Sequence, residues 1–120
     1  MSISNYAENK LLDTLGNNAF SVSVVYLQLH TGDAGEDGTN NVAGETTRQT
    51  VSFGSASSGS ITSSGTVTWT SLSTAETLTH WSAWDAASSG NCLWTGALSG
   101  SATVAVGDTF QITSLSLTLD

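Results

Sequence analysis

Proline is absent from this chain of 120 residues, cysteine occurs once, and basic side chains occur twice. A single cysteine, Cys92, excludes an intrachain disulfide. Set in an apolar stretch, it is expected to be a small core residue rather than a reactive thiol. Without proline, edge strands must be shielded by carboxylates, by a docked helix or by pairing with a neighbouring chain. Lys10 and Arg48 stand against ten carboxylates, a formal net charge of -8. That field repels a phosphate backbone and argues against direct nucleic-acid binding. An anionic membrane surface is disfavoured for the same reason. A basic patch on another protein is the natural electrostatic partner. No run of 18 apolar residues is present, so no transmembrane helix is expected. Residues 1–10 are polar and lack the apolar core of a cleavable signal, so folding in a cytoplasm is expected.

Ser and Thr together supply 38 residues and Gly 12 more. Such a composition suits disorder only when hydrophobicity is also low. Here 38% of residues are apolar and four are Trp, which favours a folded domain. The length suits one domain spanning 1–120, with residues 1–16 forming an N-terminal arm and helix. The abundance of Thr and other β-branched residues favours pleated surfaces over helices.

Periodicity divides the chain. Asn5 to Leu15 reads as a helix, with Asn5 and Glu8 in a capping-box pattern. Ala7, Leu11, Leu12 and Leu15 form its apolar stripe, and Gly16 is a candidate left-handed stop. A helix this short needs to dock its stripe. From Val24 to Thr31 the period becomes two, with Val25, Leu27 and Leu29 on one face. Gly32–Gly44 reads as a long loop, and Arg48–Phe53 as a second strand with Val51 and Phe53 inward. Gly54–Gly65 reads as a flexible excursion with a weak strand at Ile61. Further strands are expected at Thr66–Thr70, Leu78–Asp85, Cys92–Leu98, Ala102–Val106, Thr109–Thr113 and Leu115–Leu119, with a hairpin loop at Ala86–Asn91. The fold expected is all-β: a single antiparallel β-sandwich, jelly-roll-like, with one short N-terminal helix.

Chemistry is sparse. Asp33–Gly38 partly mimics a calcium loop, but Gly35 and Gly44 occupy positions that need ligands. No metal and no cofactor are expected. His30 and His80 lack zinc spacing, and no nucleophile-elbow motif surrounds any Ser. A set built from a Ser, His80 and Asp85 can be drawn, but in a chain so rich in Ser it carries little weight, and no enzymatic activity is expected. The four Trp residues sit at strand positions, where packing is the plainer reading and a sugar platform the sharper one. The loop Gly32–Asn41 is long, acidic and Gly-rich, which is unusual in a compact domain. It reads as a docking arm or as a solvated loop.

The chain resembles a family of small tailed-phage virion proteins commonly labelled tail fibre proteins, and is similar to β-sandwich proteins that act as capsid cement. The resemblance rests on Ser4-Asn5-Tyr6-Ala7-Glu8-Asn9 with Leu11-Leu12-Asp13, then Leu29-His30-Thr31-Gly32-Asp33-Ala34-Gly35-Glu36. It continues through Arg48-Gln49 with Val51-Ser52-Phe53, Thr79-His80, Trp84-Asp85-Ala86, Gly90-Asn91, Leu93-Trp94-Thr95-Gly96-Ala97-Leu98 and Val106-Gly107-Asp108-Thr109-Phe110. Related sequences tend to carry a proline in the loop after His30-Thr31; this chain does not.

The resemblance implies a component of a phage particle, made in the host cytoplasm. Capsid decoration is the first expectation: a cement protein on the outer shell, bound to the major capsid protein and to itself as a homotrimer. A tail fibre, baseplate or receptor-binding module is the alternative. Asp33, Glu36 and Asp37, with Arg48 near the loop's base, are the expected partner-facing residues. The arm Met1–Tyr6, and Tyr6 in particular, is the other candidate contact.

Overall fold

The computed structural model describes residues 2–119. Its elements run β1 (Ser2–Ile3), α1 (Asn5–Leu15), β2 (Val25–His30), β3 (Gln49–Phe53), β4 (Ser60–Ser64), β5 (Val67–Trp69), β6 (Glu76–Trp84), β7 (Cys92–Val104), β8 (Phe110–Ile112) and β9 (Ser116–Thr118). Seven strands make one antiparallel sheet in the order β1-β7-β6-β2-β3-β4-β9, while β5 and β8 pair in a second. The core joins the two: Val67, Trp69 and Ile112 of the small sheet pack with Leu27, Leu29, Val51, Leu78 and Trp81 of the large one. The all-β antiparallel fold with one short helix is therefore observed, as a lopsided pair of layers.

Register follows from the two-residue period. Leu27 and Leu29 lie opposite Ala83 and Trp81, and all four point into the core. Side chains at the intervening positions stand on the other face of the sheet. There Gln28, His30, Ser82 and Trp84 are buried as well. The alternation in the sequence marks one face correctly but does not reveal that the polar face is also covered. All four Trp residues are buried, and Trp69 donates its indole N–H to the Thr47 carbonyl at 2.9 Å.

Three strand assignments change. Cys92–Leu98 and Ala102–Val106 are not separate strands but parts of one, β7. Ser99-Gly100-Ser101 reads as a break, yet β6 pairs on both sides of it. A register shift between Leu78 and His80 absorbs the irregularity as a bulge rather than a turn. At about 3.3 Å per residue, β7 spans roughly 43 Å, most of the molecule's 47 Å long dimension. Gly54–Gly65 is not a loose excursion. Ser58 and Gly59 turn with positive φ, and β4 then pairs with β3 on one side and β9 on the other. Neighbouring strands override its weak hydrophobic signal.

The N-terminal segment also differs in detail. Ser4, not Asn5, caps α1: its Oγ accepts from the Ala7 N–H and donates to the Cys92 carbonyl. β1 pairs with β7 and fixes Ser4 in that position, so Asn5 enters the first turn and the capping box with Glu8 does not form. Gly16 has φ -84° and is not left-handed; Asn17, at φ 71°, takes that role. Asn tolerates this region better than most side chains. The helix's apolar stripe is not docked. Only Ala7 is buried, while Leu12 and Leu15 are 65% and 84% exposed.

Candidate functional site

The covered polar face starts from His30, which has no exposed surface. Its Nδ1 lies 2.8 Å from the Asn40 carbonyl and its Nε2 2.7 Å from Ser82 Oγ. Ser82 Oγ also receives the Trp84 indole N–H at 2.7 Å. One proton arrangement satisfies every atom: Nδ1–H donates to Asn40, and the Ser82 hydroxyl donates to Nε2. That arrangement holds a neutral imidazole. Burial, which disfavours the charged ring, keeps His30 below its usual pKa, and the positive charge of Arg48 acts in the same direction.

The cover is the acidic loop itself. Thr31 N–H donates to the Asn41 carbonyl, Asn40 N–H to the Ala34 carbonyl, and Asn41 Nδ2 to the Asp33 carbonyl, each at 2.9 Å. Asp33 accepts from the Gly35 N–H, and Asp37 accepts from both the hydroxyl and the N–H of Thr39. Those bonds from Thr39 hold the Asp37 carboxyl below its ordinary pKa. At Gly38, with φ +73°, the loop meets the sheet. A β-carbon there would lie 2.7 Å from Cys92 Sγ and 2.9 Å from the Trp84 ring. The loop is thus folded onto its own domain. Beneath it, burial pushes the Cys92 thiol up to about 11, so the sulfur behaves as an uncharged wall.

Between the loop tip, the start of α1 and the end of the β6–β7 hairpin lies a groove of about 450 Å³. Tyr6, Glu36, Asp37, Thr39, Trp84 and Asn91 line it. Of the residues expected to face a partner, the structure gathers Tyr6, Glu36 and Asp37 here. Asp33 is placed at the start of the loop and holds its turn. Arg48 stacks over Trp84, 4.0 Å from the ring centroid, outside the groove lining. Its Nη1 donates to the Ala86 and Ser89 carbonyls, both at 2.8 Å, and its Nε to Gln28 Oε1. The guanidinium thereby ties the hairpin loop to the polar face. The arm, likewise, is held by its own sheet: Ser2 and Ile3 pair with Thr95 and Trp94. Met1 lies outside the described residues. Trp84, Thr39, Asn91 and Cys92 were missed as groove residues. The hairpin signal around Gly90-Asn91 predicts that Trp84 and Cys92 become neighbours, but nothing local in the sequence folds the loop over them.

The carboxylates have a common use. Asp33, Asp37, Glu45, Glu76, Asp85 and Asp108, six of the nine Asp and Glu among the described residues, accept hydrogen bonds from backbone N–H groups of loops and turns. Such charge-assisted bonds are stronger than neutral ones. Glu36 is exposed and makes no such bond among the described residues. No three His, Cys, Asp or Glu side chains cluster for a metal among the described residues. His80 Nδ1 sits 2.8 Å from Thr79 Oγ1, and Asp85 holds Asn91, so the two do not assemble with a Ser into a relay. With all four indoles buried, no Trp face is open to stack on a sugar.

A family model described as Podophage GP4 fiber I protein gp80 matches residues 2–120. No curated protein matches the chain.

Proposed function

Because the chain belongs to the Podophage GP4 fiber I protein gp80 family, it is a phage structural protein of the fibre type, and we propose that it works mechanically within a virion fibre, without catalysis. The family match over almost the whole chain carries this reading. The geometry supports it: a 47 Å β-slab whose loops are held by their own carboxylates. Rigid slabs transmit load through interfaces, and interfaces repeated by symmetry gain avidity. The partners under this reading are further copies of the chain, as a trimer, and a neighbouring virion protein. The undocked helix face at Leu12 and Leu15 is apolar surface available to such contacts.

Capsid decoration is the second reading, favoured by the acidic surface, which suits the outside of a DNA-filled shell. The family description names a fibre, and the fibre reading therefore ranks first. Phage lacking the gene separate the two. Under the fibre reading, particles keep normal heat resistance and lose adsorption to host cells. Heat-labile particles that still adsorb would reverse the order, and hydrolysis of any host polymer by the purified chain would remove the non-catalytic premise.

A further inference from the structure

We propose that the groove between Tyr6, Trp84 and the acidic loop tip is a docking socket for a lysine or arginine side chain of a different virion protein. The inference rests on the structural role proposed above and names the partner chemistry of that site. The groove is lined by the half-buried Tyr6 side chain and by the small exposed parts of Trp84 and the uncharged Cys92 sulfur, and its rim carries Glu36 and Asp37. A long basic side chain matches both parts, since its aliphatic stem lies along apolar surface while its charged head stays at the polar edge. One side of the Tyr6 ring already carries the chain's own Lys10, with Nζ 5.8 Å from the centroid, so Tyr6 serves the groove as apolar wall. Neither Lys10 nor Arg48 lines the groove: Arg48 lies over Trp84 and bonds carbonyls, and Lys10 is engaged over the Tyr6 ring rather than with Glu36 or Asp37. Glu36 therefore faces solvent without a basic neighbour in the lining.

Charge complementarity also selects the class of partner. The chain holds only two basic side chains, Lys10 over Tyr6 and Arg48 over Trp84, so a second copy is a poor donor of the side chain this groove takes. A basic protein is attracted instead. A neutral glycan would need a free ring face; Trp84 is 6% exposed with a guanidinium over its ring, and Tyr6 carries Lys10 over its own.

The test is an NMR titration of the ¹⁵N-labelled full chain with three blocked tripeptides: acetyl-Gly-Arg-Gly-amide, acetyl-Gly-Lys-Gly-amide and the neutral acetyl-Gly-Gln-Gly-amide. The cationic peptides are expected to give saturable shifts at the Thr39 and Asn91 amides and the Trp84 indole, and the neutral peptide none. The double variant Glu36→Gln/Asp37→Asn keeps the Thr39 bonding geometry and is expected to weaken binding by about fivefold or more at low salt, as loss of two exposed charges implies. Equal response to the neutral peptide, or no response at the groove, overturns the socket. Groove shifts from a panel of neutral oligosaccharides without peptide binding would assign it to a glycan instead. Particle incorporation is scored separately. A chain present in virions whose groove ignores cationic peptides sinks the socket alone; a chain absent from virions sinks the structural role whatever the titration shows.

Discussion

Gly38→Ala tests whether the acidic loop is truly seated on the sheet. Two costs are added by one methyl group. The first is conformational: φ is +73°, where a β-carbon costs about 1–2 kcal/mol. The second is steric. The new carbon would sit 2.7 Å from Cys92 Sγ and 2.9 Å from the Trp84 ring, both in buried side chains. Overpacking of this kind costs about 1–3 kcal/mol. Gly65→Ala supplies the control, because Gly65 has φ +78° and nothing within 4 Å of the same position. It carries the conformational cost alone. For a domain of this size each kcal/mol lowers Tm by roughly 4 °C, so Gly38→Ala is expected to melt about 10 °C below the parent and Gly65→Ala about 5 °C below it. Differential scanning calorimetry at neutral pH reads both. Equal losses in the two variants would mean that the loop does not pack against Trp84 and Cys92, and the covered polar face would have to be abandoned.

Three further outcomes follow from the same face. Because burial lowers the His30 pKa, the unfolded chain binds more protons just below pH 6.5. The His30 contribution is complete above 6.5 and is lost as pH falls toward the depressed value; urea melts from pH 8 to 5.5 should show this decline, and His30→Asn should flatten it. Ser82→Ala removes the partner of both Trp84 Nε1 and His30 Nε2, leaving two buried polar atoms unpaired. A loss of about 2–4 kcal/mol is expected in urea unfolding, and a change under 0.5 kcal/mol would contradict the network. The Cys92 thiol, buried and raised to about 11, should react slowly with a disulfide reagent at pH 8 in the parent and faster in Gly38→Ala; equal rates would show that the loop does not protect it.

How much of this was legible depends on the range of the interactions involved. Strands β2 and β6 are read easily because Leu27, Leu29, Trp81 and Ala83 repeat every second residue. Burial of the Trp residues follows from their size and strand positions. Ser99-Gly100-Ser101 misleads because local composition signals a turn, while continuous pairing with β6 decides the outcome. Ser4 displaces Asn5 as the cap because a strand 88 positions away offers its hydroxyl an acceptor. The groove was half legible. Acidic and Gly-rich character marks the loop as unusual, and Glu36, Asp37 and Tyr6 do converge there. Arg48 was placed at the loop's base by sequence, yet its role in tying the hairpin depends on carbonyls of Ala86 and Ser89 that only the folded chain brings near. Inward folding of the loop rests on Gly38 fitting against Trp84, a contact with no local sequence signature.

Quantitative mass spectrometry of purified particles bears most directly on the claim that this is a fibre subunit. With the major capsid protein as internal standard, a few dozen copies or fewer per virion are expected, and they should be lost together with the tail when particles are fractionated. Near-stoichiometric amounts that stay with the emptied shell, or no copies at all, would contradict it.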